Sequence, residues 1–159
     1  MSNIKINRGE LPYRQAVIGI VLDDDKRFLV AQAITYGEDD WRFPGGGVDG
    51  NEKLEETLLR ELEEELGTNN FEIIKKANFI NQYEWPDHVV EDQFKKKGIK
   101  YRGQEQVSFL VKFKGKKEDV KIQTEELRKV KWVKYDELKN HFTFPNQWND
   151  AEKALKELL

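Results

Sequence analysis

Residues 45–68 read GGGVDGNEKLEETLLRELEEELGT: three glycines, then a segment that is leucine-rich and carries seven glutamates. Leu54, Leu58, Leu62 and Leu66 recur every fourth residue, the spacing of one helical face, and Gly67 follows as a stop signal. The pattern predicts a helix over residues 52–66 with Asn51 or Asp49 as its cap. At about 100° per residue, Glu61, Glu64 and Glu65 span an arc of about 100° that borders the leucine stripe. Glu56 and Glu63 fall on the far side, where water hydrates them.

A glutamate run on its own is most simply a solvated helix face. Here, however, three carboxylates crowd the edge of a core. There they repel one another and lose hydration, so they either take up protons or gather a cation. A divalent ion resolves both problems. With oxygen donors only, and neither Cys nor His nearby, the expected ion is Mg²⁺ or Mn²⁺ rather than Zn²⁺. The glycines ahead of the helix let backbone approach closely and bring carbonyl groups beside the acids.

Outward from this helix, residues 15–22 and 27–33 are β-rich runs separated by DDDK, a predicted hairpin. Residues 71–83, 106–113 and 130–133 also read as strands, and Asn149 or Asp150 caps a final helix through Leu159. The stretch WPDHVVEDQFKKKGIKYRG, residues 85–103, reads as a long loop of the kind that binds or moves. Strands interspersed with two helices predict an α/β/α sandwich with a mixed β-sheet between helices, as one domain over residues 1–159.

The bulk composition narrows the function. A net charge of −3 provides no global field for nucleic acid or an anionic membrane, although Lys95, Lys96, Lys97, Lys100 and Arg102 form a local basic cluster. There is no cysteine, which excludes disulfides and thiolate metal sites, and no apolar run resembles a signal peptide or membrane span. The expectation is a cytoplasmic protein that does not enter a membrane. His88 and His141 lack partners at metal-ligand spacing and read as surface or loop residues. Trp148 reads as packing, and no serine sits in a nucleophile elbow.

Gly46, five residues, Glu52, seven residues, then Arg60-Glu61-Leu62-x-Glu64-Glu65-x-Gly67 resembles the signature of the Nudix hydrolases. Thr68 departs from the bulky aliphatic residue usual there. The resemblance implies that Glu61, Glu64 and Glu65 bind metal, that the Gly46 carbonyl joins them, and that Glu52 and Arg60 brace loop and helix. It also implies hydrolysis of a phosphoanhydride, with Glu64 and Glu65 in the catalytic set. Such a catalyst must neutralise phosphate charge and activate water. The base is either a metal-bridging helix glutamate or a loop glutamate, with Glu125 and Glu126 as the loop candidates. In the branch containing RNA pyrophosphohydrolases and diadenosine tetraphosphate hydrolases, a glutamate lies six residues before a tryptophan. With Trp132 that position is Glu126.

LPYRQAVIGIVL, WRFPGGG, Tyr83-x-x-Pro86 and RGQEQVSFLVKF at 102–113 are similar to segments of that branch. The similarity implies that Arg14 faces the phosphates, that Tyr83 lines the nucleotide site, and that Gln104 and Gln106 supply polar contacts. It implies a 5′-triphosphorylated RNA end or a dinucleoside tetraphosphate as substrate. Free nucleotides or ADP-ribose form a second enzymatic reading, and a non-catalytic nucleotide- or RNA-binding module a third. Gly45 stands where close relatives carry glutamine, and Gln32 and Ala33 where RNA-processing members carry arginines. FTFPNQWND lacks the usual basic residue after phenylalanine. Fewer fixed cations mean weaker capture of a triphosphate.

Overall fold

The computed structural model describes residues 8–159. Its sheet is built from β1 (Tyr13–Leu22), β2 (Phe28–Ala33), β3 (Gly45–Gly47), β4 (Phe71–Glu84), β5 (Gly103–Phe113) and β6 (Leu127–Val133). Four helices accompany them: α1 (Leu54–Leu66), α2 (Asp87–Lys97), α3 (Tyr135–His141) and α4 (Gln147–Leu158). The strand order is β4-β5-β1-β2-β6, with β3 also pairing with β1. β1 and β5 run parallel and the other pairs antiparallel, so the sheet is mixed.

Alternation along the strands sorts the apolar residues to two faces. Val17 and Val21 of β1, Leu29 of β2 and Val107, Phe109 and Val111 of β5 pack with Leu58, Leu62 and Leu66 of α1. Ile20, Phe28 and Val30 face the other way, against Leu138 of α3 and Ala154, Leu155 and Leu158 of α4. The result is a sheet between helical layers, the predicted sandwich. Each fully buried leucine of α1 contributes on the order of 2 kcal/mol by leaving water.

Several boundaries differ from expectation. The β1–β2 hairpin pairs only at Leu22 and Phe28, because the middle of that β1 edge is occupied by β3 and β2 turns to β6. The three glycines therefore form a strand rather than a loop. α1 starts after Lys53 with no side-chain cap; Asp49 instead donates its backbone N–H to Glu52 at 2.9 Å. Gly67 does end the helix, in the left-handed conformation (φ 71°). The final helix begins at Gln147, ahead of the expected caps, because Asn146 takes the left-handed conformation that turns the chain into it. α3 was not foreseen; its seven residues bury a single side chain, Leu138, too little to mark a period.

The largest correction concerns residues 85–103, which hold helix α2. It buries only Val90, so hydrophobic periodicity is nearly absent, and its supports are at the ends. Asp87 lies in the first turn, Lys95, Lys96 and Lys97 in the last, and Gly98 closes it at φ 73°. Among the described residues, no helix is long and apolar enough to cross a membrane.

Candidate active site

The glycine strand fixes the floor of the site. Gly45, Gly46 and Gly47 pair with Ile18, Val17 and Ala16, so close that a Cβ on Gly45 would lie 2.1 Å from the Val17 carbonyl oxygen. Gly45 is thus required by this backbone, whatever relatives carry there. A Cβ on Gly46 would meet the Glu61 carboxylate carbon at 2.3 Å, and one on Gly47 an Arg14 nitrogen at 2.1 Å. The bare strand therefore seats a carboxylate from α1 on one side and a guanidinium from β1 on the other.

Around it lies a cleft of about 220 Å³ lined by Arg14, Gly47, Asp49, Arg60, Glu61, Glu64, Glu65, Lys97, Thr124 and Glu126. Arg60 is the hub of the acidic wall. It donates to both oxygens of Glu52 (2.7 and 2.9 Å), to the Gly47 carbonyl (3.1 Å), to Glu61 (3.0 Å) and to Glu64 (3.1 Å). These bonds hold the Glu52 carboxyl down at about 2 and tie the loop to the helix. Glu64 is exposed, Glu61 half-buried, and Glu65 only 3% exposed.

Among the described residues, Glu65 has one cation beside it, Arg42, at 3.6 Å from Oε1, and Oε2 is buried without a hydrogen-bond partner. Burial raises its carboxyl to about 7 against the pull of Arg42, with the charges of Glu61 and Glu126 adding to the rise. Glu61 is raised for the same principal reason. In the metal-free protein the folded state then binds the Glu65 proton more tightly than the unfolded chain does. That contribution to stability is complete below about pH 4.5 and is lost as pH rises through about 7, a change of about 3 kcal/mol. Urea unfolding of metal-free protein should show it as a stability decrease between pH 5 and pH 8, and Glu65→Gln should remove most of the decrease.

Glu126 reaches the cleft because its loop is stitched to both neighbours. Lys121 and Gln123 donate backbone N–H groups to the Leu66 and Glu65 carbonyls at the end of α1, and Ile34 donates to the Glu126 carbonyl (2.8 Å). Glu125 is exposed and does not line the cleft.

On the sheet face opposite α1, Arg14, Gln104 and Tyr83 stand in one row across β1, β5 and β4. Arg14 donates to Gln104 Oε1 (2.8 Å), and Gln104 Nε2 donates to the Tyr83 hydroxyl (2.8 Å). Both ends of the Gln104 amide are engaged. Gln106 accepts from Asn81 in the adjoining row (3.3 Å).

The basic cluster does not act as one group. Lys100 pairs with Glu91 (2.8 Å) and Arg102 with Glu84, whereas Lys97 turns into the cleft and Lys95 and Lys96 are exposed. Gln32, read as a missing cation, is fully buried and donates to the Gly37, Glu38 and Asp40 carbonyls, holding the β2–β3 loop. His88 is exposed, and His141 packs on Trp41. Trp148 packs partly buried against the α3–α4 core.

Among the described residues, no group of three acidic or histidine side chains is already gathered as a finished metal cage; Arg60 draws Glu61 and Glu64 toward itself. The donors nevertheless suit a hard divalent ion: oxygen only, one buried oxygen of Glu65 unpartnered, and a Gly46 backbone in contact range of Glu61.

The NUDIX domain model matches residues 12–158. The chain belongs to the Nudix family. A Pelagibacter ubique protein called RNA pyrophosphohydrolase is 34% identical, covering 100% of this chain and 99% of its own. One of the same name from Sphingopyxis alaskensis is 35% identical, covering 84% and 85%. The E. coli dihydroneopterin triphosphate pyrophosphohydrolase superposes with a TM-score of 0.67 at 16% identity, covering 91% of this chain and 99% of that one, a likeness of fold. This Nudix protein is a pyrophosphohydrolase, and members of the family generally use divalent metal ions. Sequence reasoning alone missed Arg42, whose only signal is a charge between Trp41 and Phe43 in WRFPGGG.

Proposed function

We propose that this Nudix hydrolase cleaves a phosphoanhydride bond of the 5′-triphosphate at an RNA end. The supporting observation is the cleft itself, where Arg14 and Lys97 supply cations opposite the Glu61, Glu64, Glu65 and Glu126 carboxylates. The likeness to proteins called RNA pyrophosphohydrolase, over all or most of the chain, supports RNA over other anhydrides. Glu61, Glu64, Glu65 and the Gly46 carbonyl are the residues that would hold Mg²⁺ or Mn²⁺. Bound there, the ion neutralises phosphate charge as a Lewis acid.

The chain's own groups do the rest. Arg14 and Lys97 bind phosphate oxygens, and Glu126 accepts the proton of the attacking water. The Tyr83 ring stacks on a base, and Gln104 acts by holding Arg14 and Tyr83 in register. Gln106 offers a polar contact beside them, while Glu52 and Arg60 brace the loop against the helix. Exposed Lys95 and Lys96, in the same turn of α2 as Lys97, offer cations to phosphates beyond the first nucleotide.

Product analysis with Mg²⁺ across triphosphorylated RNA, diadenosine tetraphosphate, ADP-ribose and free nucleotides tests this; RNA should have the highest kcat/KM. A higher value for any other member of the panel overturns the RNA assignment. Replacing Lys95, Lys96 and Lys97 together by alanine should weaken RNA more than free nucleotide. It should also flatten the salt dependence of log K for single-stranded RNA by about 2. Equal losses for both substrates would remove α2 from RNA recognition.

A further inference from the structure

We infer that Arg42 is a positioning residue for Glu65: it holds Oε1 from outside the cleft, leaving Oε2 as the oxygen available to a metal ion. The inference rests on the reading of Glu65 as a metal ligand.

The backbone around Arg42 is fixed on both sides. Ala31 and Arg42 exchange N–H···O bonds of 2.7 and 2.9 Å, and the flanking Trp41 and Phe43 are buried in the core beneath α3 and α4. Alternation then sends the Arg42 side chain to the opposite face, the one covered by α1. Its guanidinium is steadied by a 3.1 Å bond from Nη1 to the Phe43 carbonyl, which aims Nη2 at Glu65 Oε1, 3.6 Å away.

Arg60 does not replace it. That guanidinium is already committed to Glu52, Glu61, Glu64 and the Gly47 carbonyl. Glu65 is the most buried of the three helix acids, and an unpaired carboxylate at such depth is costly. Arg42 relieves that cost through one oxygen only, and Arg42 itself does not line the cleft. This is the arrangement of an outer partner that orients a ligand, and loss of such partners costs about 10–100-fold in metal affinity or activity. Lysine preserves the charge but lacks the planar fork that bonds the Phe43 carbonyl with one nitrogen while the other faces Glu65.

The test is Mn²⁺ titration followed by electron paramagnetic resonance on wild type, Arg42→Gln, Arg42→Lys and Glu65→Gln, with circular dichroism on each. Wild type should bind Mn²⁺ and Glu65→Gln should bind weakly; failure of either removes the ligand assignment itself. With those controls in place, Arg42→Gln should weaken Mn²⁺ about tenfold or more at unchanged fold, and Arg42→Lys should recover part of the loss. Unchanged or tighter Mn²⁺ binding by folded Arg42→Gln overturns the inference, because a purely structural arginine or a merely opposing charge gives that result. If Arg42→Gln does not fold, Arg42→Lys decides: a two- to threefold weakening supports the inference, and wild-type affinity overturns it.

Discussion

Replacing Glu65 by glutamine should lower kcat by about 10³-fold while leaving the fold intact. The two side chains have nearly the same volume, so the well-packed surroundings of this 3%-exposed position are not disturbed. What disappears is a negative charge. If Glu65 helps to hold a Lewis-acid ion worth several kcal/mol of transition-state charge stabilisation, a loss of about 4 kcal/mol corresponds to that factor in rate. The metal-free stability should move the other way at alkaline pH, because the buried carboxyl, held up at about 7, is no longer forced to ionise. Steady-state kinetics and urea unfolding at pH 8 on the same preparation check both halves. A variant that is slower and less stable would point to ordinary misfolding instead.

Glu126→Gln should lower kcat by about 10²–10⁴-fold, the loss that removal of a general base produces. Glu125→Ala should leave kcat near wild type. The distinction is local and physical. The Glu126 carbonyl accepts from Ile34 at the end of β2, and residues 121 and 123 are bonded to the last carbonyls of α1. The loop is thereby pinned between the two elements that frame the cleft. Glu126 emerges into that cleft, close enough to raise the carboxyls of Glu61 and Glu65, while Glu125 remains in solvent. The same kinetic loss in Glu125→Ala alone would move the base by one residue.

The helix with its leucine period was readable because burial imposes a repeat on sequence. Leu58, Leu62 and Leu66 sit fully buried where the spacing puts them, and Gly67 closes the helix. β1 and β5 were legible for the same reason, each carrying apolar residues to a covered face. α2 was not legible, because a helix that buries only Val90 has almost no repeat to show. Its evidence lay in Asp87, the three lysines and Gly98 at its ends. The glycine strand was hidden for a different reason: glycine signals loop by propensity, yet the open edge of β1 supplies pairing partners that override it.

The site divides along the same line. The acids of α1 announce themselves by crowding one helical edge. Arg42 and Lys97 enter from elsewhere in the chain, through a bridge to Ala31 and through the last turn of α2, and nothing local in the sequence marks the encounter. Gln32 is the converse case. Where a cation was missed in the sequence, the fold uses a neutral amide to gather three loop carbonyls.

The most direct measurement of the central claim, that the acids of α1 exist to gather divalent ions, is anomalous diffraction from crystals soaked in Mn²⁺. An anomalous peak is expected between Glu61 and Glu65 at the Gly46 carbonyl, with Glu64 drawn from Arg60 toward it. No anomalous density among these carboxylates, with Glu61 and Glu64 still paired with Arg60, would contradict that claim.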